Sequence, residues 1–145
     1  MSFLDALQTS ASGLSAQRLR MNLISSNLAN INTTRTPEGG PYKRKDAVFA
    51  ANPQQPSFSD ALSRRLDPQN IEVQVTEIRD DQRSPIQKFE PGHPDADADG
   101  YITLPNVNVV EEMVNMISAS RSYEANVTAI RATKEMAADA MEIGR

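Results

Sequence analysis

At 145 residues, with no cysteine, no tryptophan and a net charge of −4, the chain excludes several functions before any motif is read. Disulfides, a thiol nucleophile and cysteine-ligated zinc or iron–sulfur centres all need a residue it lacks. The one basic run, Lys43-Arg44-Lys45, is followed at once by Asp46 and offers no face for nucleic acid.

The first predicted element is a helix over Ser2–Ala29. Leu7, Leu14, Met21 and Leu28 recur every seven residues, with Phe3, Ile24 and Ile31 on the flanking row, the spacing that keeps an apolar seam facing a partner helix. The charges of residues 1–34 are Asp5, Arg18 and Arg20, and the remaining polar positions are Ser, Thr, Asn and Gln. A helix facing bulk water carries many charges on its polar side, so this one is expected to be contacted on most sides. A membrane-surface helix would need a basic polar face, which is missing. No apolar run approaches the ~18 residues of a membrane span. Met1 to Ala16 has an acid at Asp5 and neither a basic n-region nor a continuous apolar h-region, so no cleaved Sec-type signal is expected. Asn27, Asn30 and Asn32 are polar and turn-tolerant, suited to ending the helix.

All nine prolines lie between Pro37 and Pro105, and here the period changes. Ile71-Glu-Val73-Gln-Val75 alternates apolar and polar residues as a half-buried strand does, with extension to Ile78. Asp80-Asp81 and Arg83-Ser84-Pro85 read as a turn returning into a second strand at Ile86–Phe89, and Tyr42–Phe49 and Tyr101–Leu104 are further strand candidates. Together they predict a small antiparallel sheet, marginal as an independent fold. Phe58, Leu62 and Leu66, at steps of four, permit one short helix between them.

From Asn108 to Ile143 there is neither Gly nor Pro, so the last helix is expected to run about 54 Å, far beyond the globular mean of ~11–12 residues. Its predicted seam passes through Val109, Met113, Met116, Tyr123, Val127, Ile130 and Met141, with Ser120 and Lys134 as its polar breaks. Asn108 with Glu111 three residues on makes a capping box, and Glu111 and Glu112 suit the positive end of the helix dipole. Two such helices cannot hide against the segment between them. The expected fold is therefore α+β, with long N- and C-terminal helices packing as an antiparallel coiled-coil layer and a small, irregular, β-rich middle. Residues 1–34, 35–105 and 106–145 form the three parts.

Chemical motifs are sparse. Asp95-Ala-Asp97-Ala-Asp99-Gly100, with Ile102 at the eighth place, imitates the start of an EF-hand loop, but position twelve is Asn106 where a bidentate Glu is needed and Pro105 precedes it. An acidic turn leading into the Tyr101 strand is the expected reading, with a calcium-responsive helical adaptor built on the Asp95–Asp99 loop as the alternative. His93, alone between Gly92 and Pro94, has no constellation around it to act as a base. No catalytic pair, cofactor or metal site is expected.

Three strings carry a resemblance. Ser12-Gly-Leu-Ser-Ala-Gln-Arg-Leu-Arg-Met-Asn22, Ile24-Ser-Ser-Asn-Leu-Ala-Asn-Ile-Asn-Thr-Thr-Arg-Thr36 and Gly40-Pro-Tyr-Lys-Arg44 resemble the N-terminal signature of bacterial flagellar rod and hook proteins. Pro91-Gly-His-Pro-Asp-Ala-Asp97, Pro105-Asn-Val-Asn108 and Glu111 to Val127 are similar to the proximal-rod branch of that axial family. The resemblance implies a structural subunit of the flagellar basal body that is exported unfolded through the flagellar type III apparatus without signal cleavage. In the periplasm it would polymerise into the hollow rod that transmits torque for motility. It implies self-assembly with further copies and contacts with the rod proteins FlgB, FlgF and FlgG, with FliE at the base. Terminal helices would line the channel and Asn27 and Asn30 would bond into adjacent subunits. No nucleic acid, small-molecule substrate or membrane span is implied.

Overall fold

The computed structural model of the chain describes residues 3–52 and 72–143. Helix α1 (Phe3–Ala29) leads through a loop to strand β1 (Lys45–Asn52); strands β2 (Glu72–Asp80), β3 (Ile86–Phe89) and β4 (Tyr101–Leu104) follow, and helix α2 (Val109–Ile143) closes the chain. The fold is α+β, with the terminal helices packed on each other and a small middle of antiparallel strands. The helix expected around Phe58, Leu62 and Leu66 lies outside the described residues.

The two helices run antiparallel. Asn27 of α1 meets Glu112 of α2, Arg20 reaches Asn115, and Gly13 lies against Asn126, so progress along one helix is regress along the other. Small residues set their approach: Ala16 and Ala119 are buried, and a Cβ on Gly13 would sit 3.1 Å from the Asn126 amide nitrogen. At 35 residues against 27, α2 outruns α1 at its C-terminal end, where Met136 and Met141 are exposed. Asn108 caps α2, its Oδ1 accepting from the N–H groups of Val110 and Glu111 at 2.9 and 3.4 Å. The return bond of a full capping box, from the Glu111 carboxylate, is not made among the described residues.

The expected single sheet resolves into two ribbons, β1 with β2 and β3 with β4, so β2 and β3 are not partners. The turn between them explains why. Asp81 N–H donates to Arg44 O at 2.8 Å, extending the β1–β2 ladder, while its carboxylate takes both the backbone and the guanidinium of Arg83 at 2.9 and 2.7 Å. The side-chain hydrogen bond from Arg83, and then the backbone one, hold the Asp81 carboxyl below the usual carboxylate range. The chain thereby leaves β2 turning away from it. Strand β1 begins at Lys45, later than the expected Tyr42, because the Tyr42 backbone is engaged elsewhere: its N–H donates to Thr33 O at 3.1 Å in the preceding loop. A bulge between Val48 and Phe49 leaves Thr76 unpaired in the ladder, and its hydroxyl donates to Val48 O at 3.3 Å.

The β1–β2 ribbon lies on α1, where Ser12 Oγ accepts from Val73 N–H at 3.1 Å while donating to Thr9 O. The β3–β4 ribbon is stabilised at its loop end by an edge-to-face pair, Phe89 with Tyr101, centroids 5.2 Å apart. Gly100 closes its loop at φ +82, and a Cβ there would meet the Phe89 ring at 3.0 Å. Buried apolar side chains are few among the described residues: Ala16, Ile24, Ile102, Val107 and Ala119. No helix among those residues is long and apolar enough to cross a membrane.

Gly13 and Gly100 test this packing by thermal unfolding. Gly13→Leu is expected to cost about 1–3 kcal/mol by overpacking the helix pair, with Gly13→Ala far milder because Asn126 can give way. Gly100→Ala is expected to cost about 1–2 kcal/mol from the left-handed backbone alone. A stable Gly13→Leu variant contradicts the close approach.

Candidate functional site

Where the end of α1 and the start of β1 meet the start of α2, the interior is polar. Asn27 is fully buried and its amide is saturated. Its Nδ2 donates to Lys45 O at 2.9 Å and to Glu112 Oε2 at 3.1 Å, while its Oδ1 accepts from Lys45 N–H at 2.9 Å and the Tyr42 hydroxyl at 3.0 Å. By taking both the N–H and the C=O of Lys45, the side chain stands in for a neighbouring strand at the first residue of β1. Glu112, also fully buried, accepts from Arg44 Nε at 2.8 Å through Oε1, and Arg44 reaches Asp46 at 3.6 Å. Burial opposes the Arg44 charge, but the hydrogen bond and charge of Glu112, with Asp46 and Glu111 nearby, outweigh it and raise the guanidinium pKa above its ordinary value.

Asn27 spends its hydrogen-bonding capacity inside its own chain. Asn30 does end α1: its Nδ2 donates to Ser26 O at 2.9 Å and its Oδ1 accepts from Thr33 Oγ1 at 3.2 Å.

The predicted seams are rotated slightly within the chain. Leu7, Leu14, Met21 and Leu28 are all half-buried, yet the deepest positions of α1 are Ala16, Ile24 and Asn27. On α2, Met116, Tyr123, Val127 and Ile130 are half-buried, whereas Val109, Met113 and Met141 are exposed and Glu112 and Ala119 are the fully covered positions. Sequence reasoning missed Glu112, Arg44 and Tyr42 because a carboxylate was not admitted to a seam. The available signal was the acid pair Glu111-Glu112, set between Val109-Val110 and Met113-Val114.

The acidic loop serves its own backbone. Asp97 Oδ1 accepts from the N–H groups of Asp99 and Tyr101 at 3.1 and 2.8 Å, Asp95 Oδ2 accepts from the Thr34 hydroxyl at 2.8 Å, and His93 Nδ1 accepts from Asp95 N–H at 3.1 Å. No group of three or more His, Cys, Asp or Glu suited to a metal occurs among the described residues. The calcium-adaptor alternative therefore gains no support from this loop.

Known proteins match the sequence of the chain from end to end. Residues 7–35 match the family described as flagella basal body rod protein, and residues 98–143 the one described as flagellar basal body rod FlgEFG protein C-terminal. The flagellar basal-body rod protein FlgC of Borreliella burgdorferi is 45% identical, over 99% of this chain and 98% of that one. FlgC of Bacillus subtilis is 42% identical and that of Salmonella typhimurium 36%, each over the full length of both chains. The chain belongs to the FlgC family. The N-terminal match of this FlgC-family chain ends within the α1–β1 loop, and the C-terminal match begins at the acidic loop and takes in all of β4 and α2.

The polar knot is testable by chemical denaturation. Glu112→Ala, which takes the buried carboxylate from Arg44 and leaves one Asn27 N–H unpaired, is expected to cost about 3–5 kcal/mol. Arg44→Met with Glu112→Leu, removing both charges, is expected to recover most of that. A Glu112→Ala loss below about 1 kcal/mol would be the size of an exposed pair and would contradict the buried network.

Proposed function

We propose that this FlgC-family chain is a structural subunit of the flagellar basal-body rod and carries out no catalysis. The observation that carries the reading is the similarity to FlgC proteins over the whole chain, at 36–45% identity, both terminal helices included. Its finer content is a place in the proximal, periplasmic part of the rod. The chain would be exported without a cleaved signal and contact further copies and the rod proteins FlgB, FlgF and FlgG, with FliE at the base.

The division of labour follows the composition. Residues 1–34 and 106–145 are the assembling parts, and residues 35–105, which contain all nine prolines, form the outward part. A helix pair that buries so few apolar side chains in its own chain gains much of its stability by burying the rest against neighbours. Torque transmission then depends on many such helices packed side by side.

Deletion of the gene is expected to abolish rods and swimming, and an electron cryo-microscopy map of purified basal bodies to show the chain in the rod. A rod complete without this chain overturns the proposal. Leu14→Asp or Val127→Asp, each placing a charge at a half-buried position of the helix pair, is expected to reduce motility on soft agar to that of the deletion strain. Normal swimming by both variants contradicts assembly through the helices.

A further inference from the structure

The first turns of α2 carry an apolar face that none of the described residues covers. Val110, Met113, Val114 and Ile117 stand at i, i+3, i+4 and i+7 and are 70%, 53%, 61% and 53% exposed. Residues two apart on a helix point about 200° apart, so Val110 and Ile117 look directly away from Glu112 and Ala119, the positions buried in the intrachain contact. Further along the same face the residues are Arg121, Glu124 and Arg131, all exposed and suited to water. The apolar character is thus confined to one short patch, the pattern of a docking site rather than of a core.

Helix α1 has an outward face of opposite kind. Ala11, Ser15, Arg18, Asn22, Ser25 and Ala29 are exposed at alternating steps of four and three, again about 200° from the inward Gly13, Arg20 and Asn27. The stripe is small-sided and nearly uncharged, so it can be desolvated at low cost and admits bulky side chains between its own. Its one charge, Arg18, is a cation, and exposed Glu111 borders the α2 patch.

We propose that the Val110–Ile117 patch of one copy docks on the outward α1 stripe of a second copy, with Glu111 beside the neighbour's Arg18. The inference rests on the rod reading and specifies its contact. Joining two different faces gives a heterologous interface, which repeats along a helical lattice, whereas pairing the α2 patches with each other would close into a dimer. Placing Arg18 at Glu111 puts Val114 opposite Ser15 if the helices are antiparallel, or level with Met21, next to Asn22 on the stripe, if they are parallel.

The absence of native cysteine makes the test direct. Two differently tagged full-length copies, one Val114→Cys and the other Ser15→Cys or Asn22→Cys, are co-expressed in the deletion strain; basal bodies are purified and oxidised. A disulfide needs Cα atoms within about 7 Å, so the expected result is a covalent heterodimer for one of the two pairings and none with Val114→Cys alone. A Val114→Cys homodimer, or no crosslink while both tags are present in the basal bodies, overturns the contact and leaves the rod reading standing. Tags absent from intact rods overturn the rod reading and the contact with it. Val110→Cys, an exposed alternative on the same face, replaces Val114→Cys if that variant fails to assemble.

Discussion

The arrangement of the whole chain depends on one buried amide. Asn27 offers two donors and two acceptors, and the structure supplies a partner for each: the N–H and C=O of Lys45, the Tyr42 hydroxyl and the Glu112 carboxylate. Three elements far apart in sequence are thereby tied at one point. Such a network has a single satisfied geometry, because any slip of α1 against α2 leaves buried polar groups unpaired. An apolar contact at the same place would tolerate several registers. Specificity of alignment, more than net stabilisation, is what a buried charged pair such as Arg44–Glu112 contributes here.

The rest of the helix pair is lightly held by comparison. Gly13, Ala16 and Ala119 bring the backbones close without filling a large core, and the larger apolar side chains of α2's first turns point outward. A monomer with these features has its alignment defined and its apolar burial incomplete. In this member of the FlgC family a defined helix alignment thus stands beside an exposed apolar face of α2.

The middle of the protein shows a different economy. Its ribbons are too small to exclude water from their own polar groups, so short side chains close the loops. Asp97 binds two backbone N–H groups, Asp81 binds Arg83, and Thr34 reaches Asp95 across from the α1–β1 loop. Carboxylates spaced for a cation in the sequence are used as backbone caps in the fold. The spacing alone could not distinguish the two uses, since both need acids at alternate positions of a tight turn.

Much of this was legible in the residues. Gly- and Pro-free runs with apolar residues three and four apart made both terminal helices visible, and strict alternation located β2. Ile86–Phe89 and Tyr101–Leu104 were found at their observed bounds. Strand pairing was not legible, because β2 had two plausible partners of equal pattern and the Asp81–Arg83 turn decided between them. The rotation of the helix faces was not legible either. Periodicity shows that a helix has an apolar side, but α2 has residues for two sides, and only the partners of Glu112 decide which is turned inward. The sequence by itself thus determined the elements, their lengths, the uncharged character of α1 and the family. Tertiary structure alone decided register, ribbon pairing and which apolar face remains free, since each depends on hydrogen bonds between residues tens of positions apart.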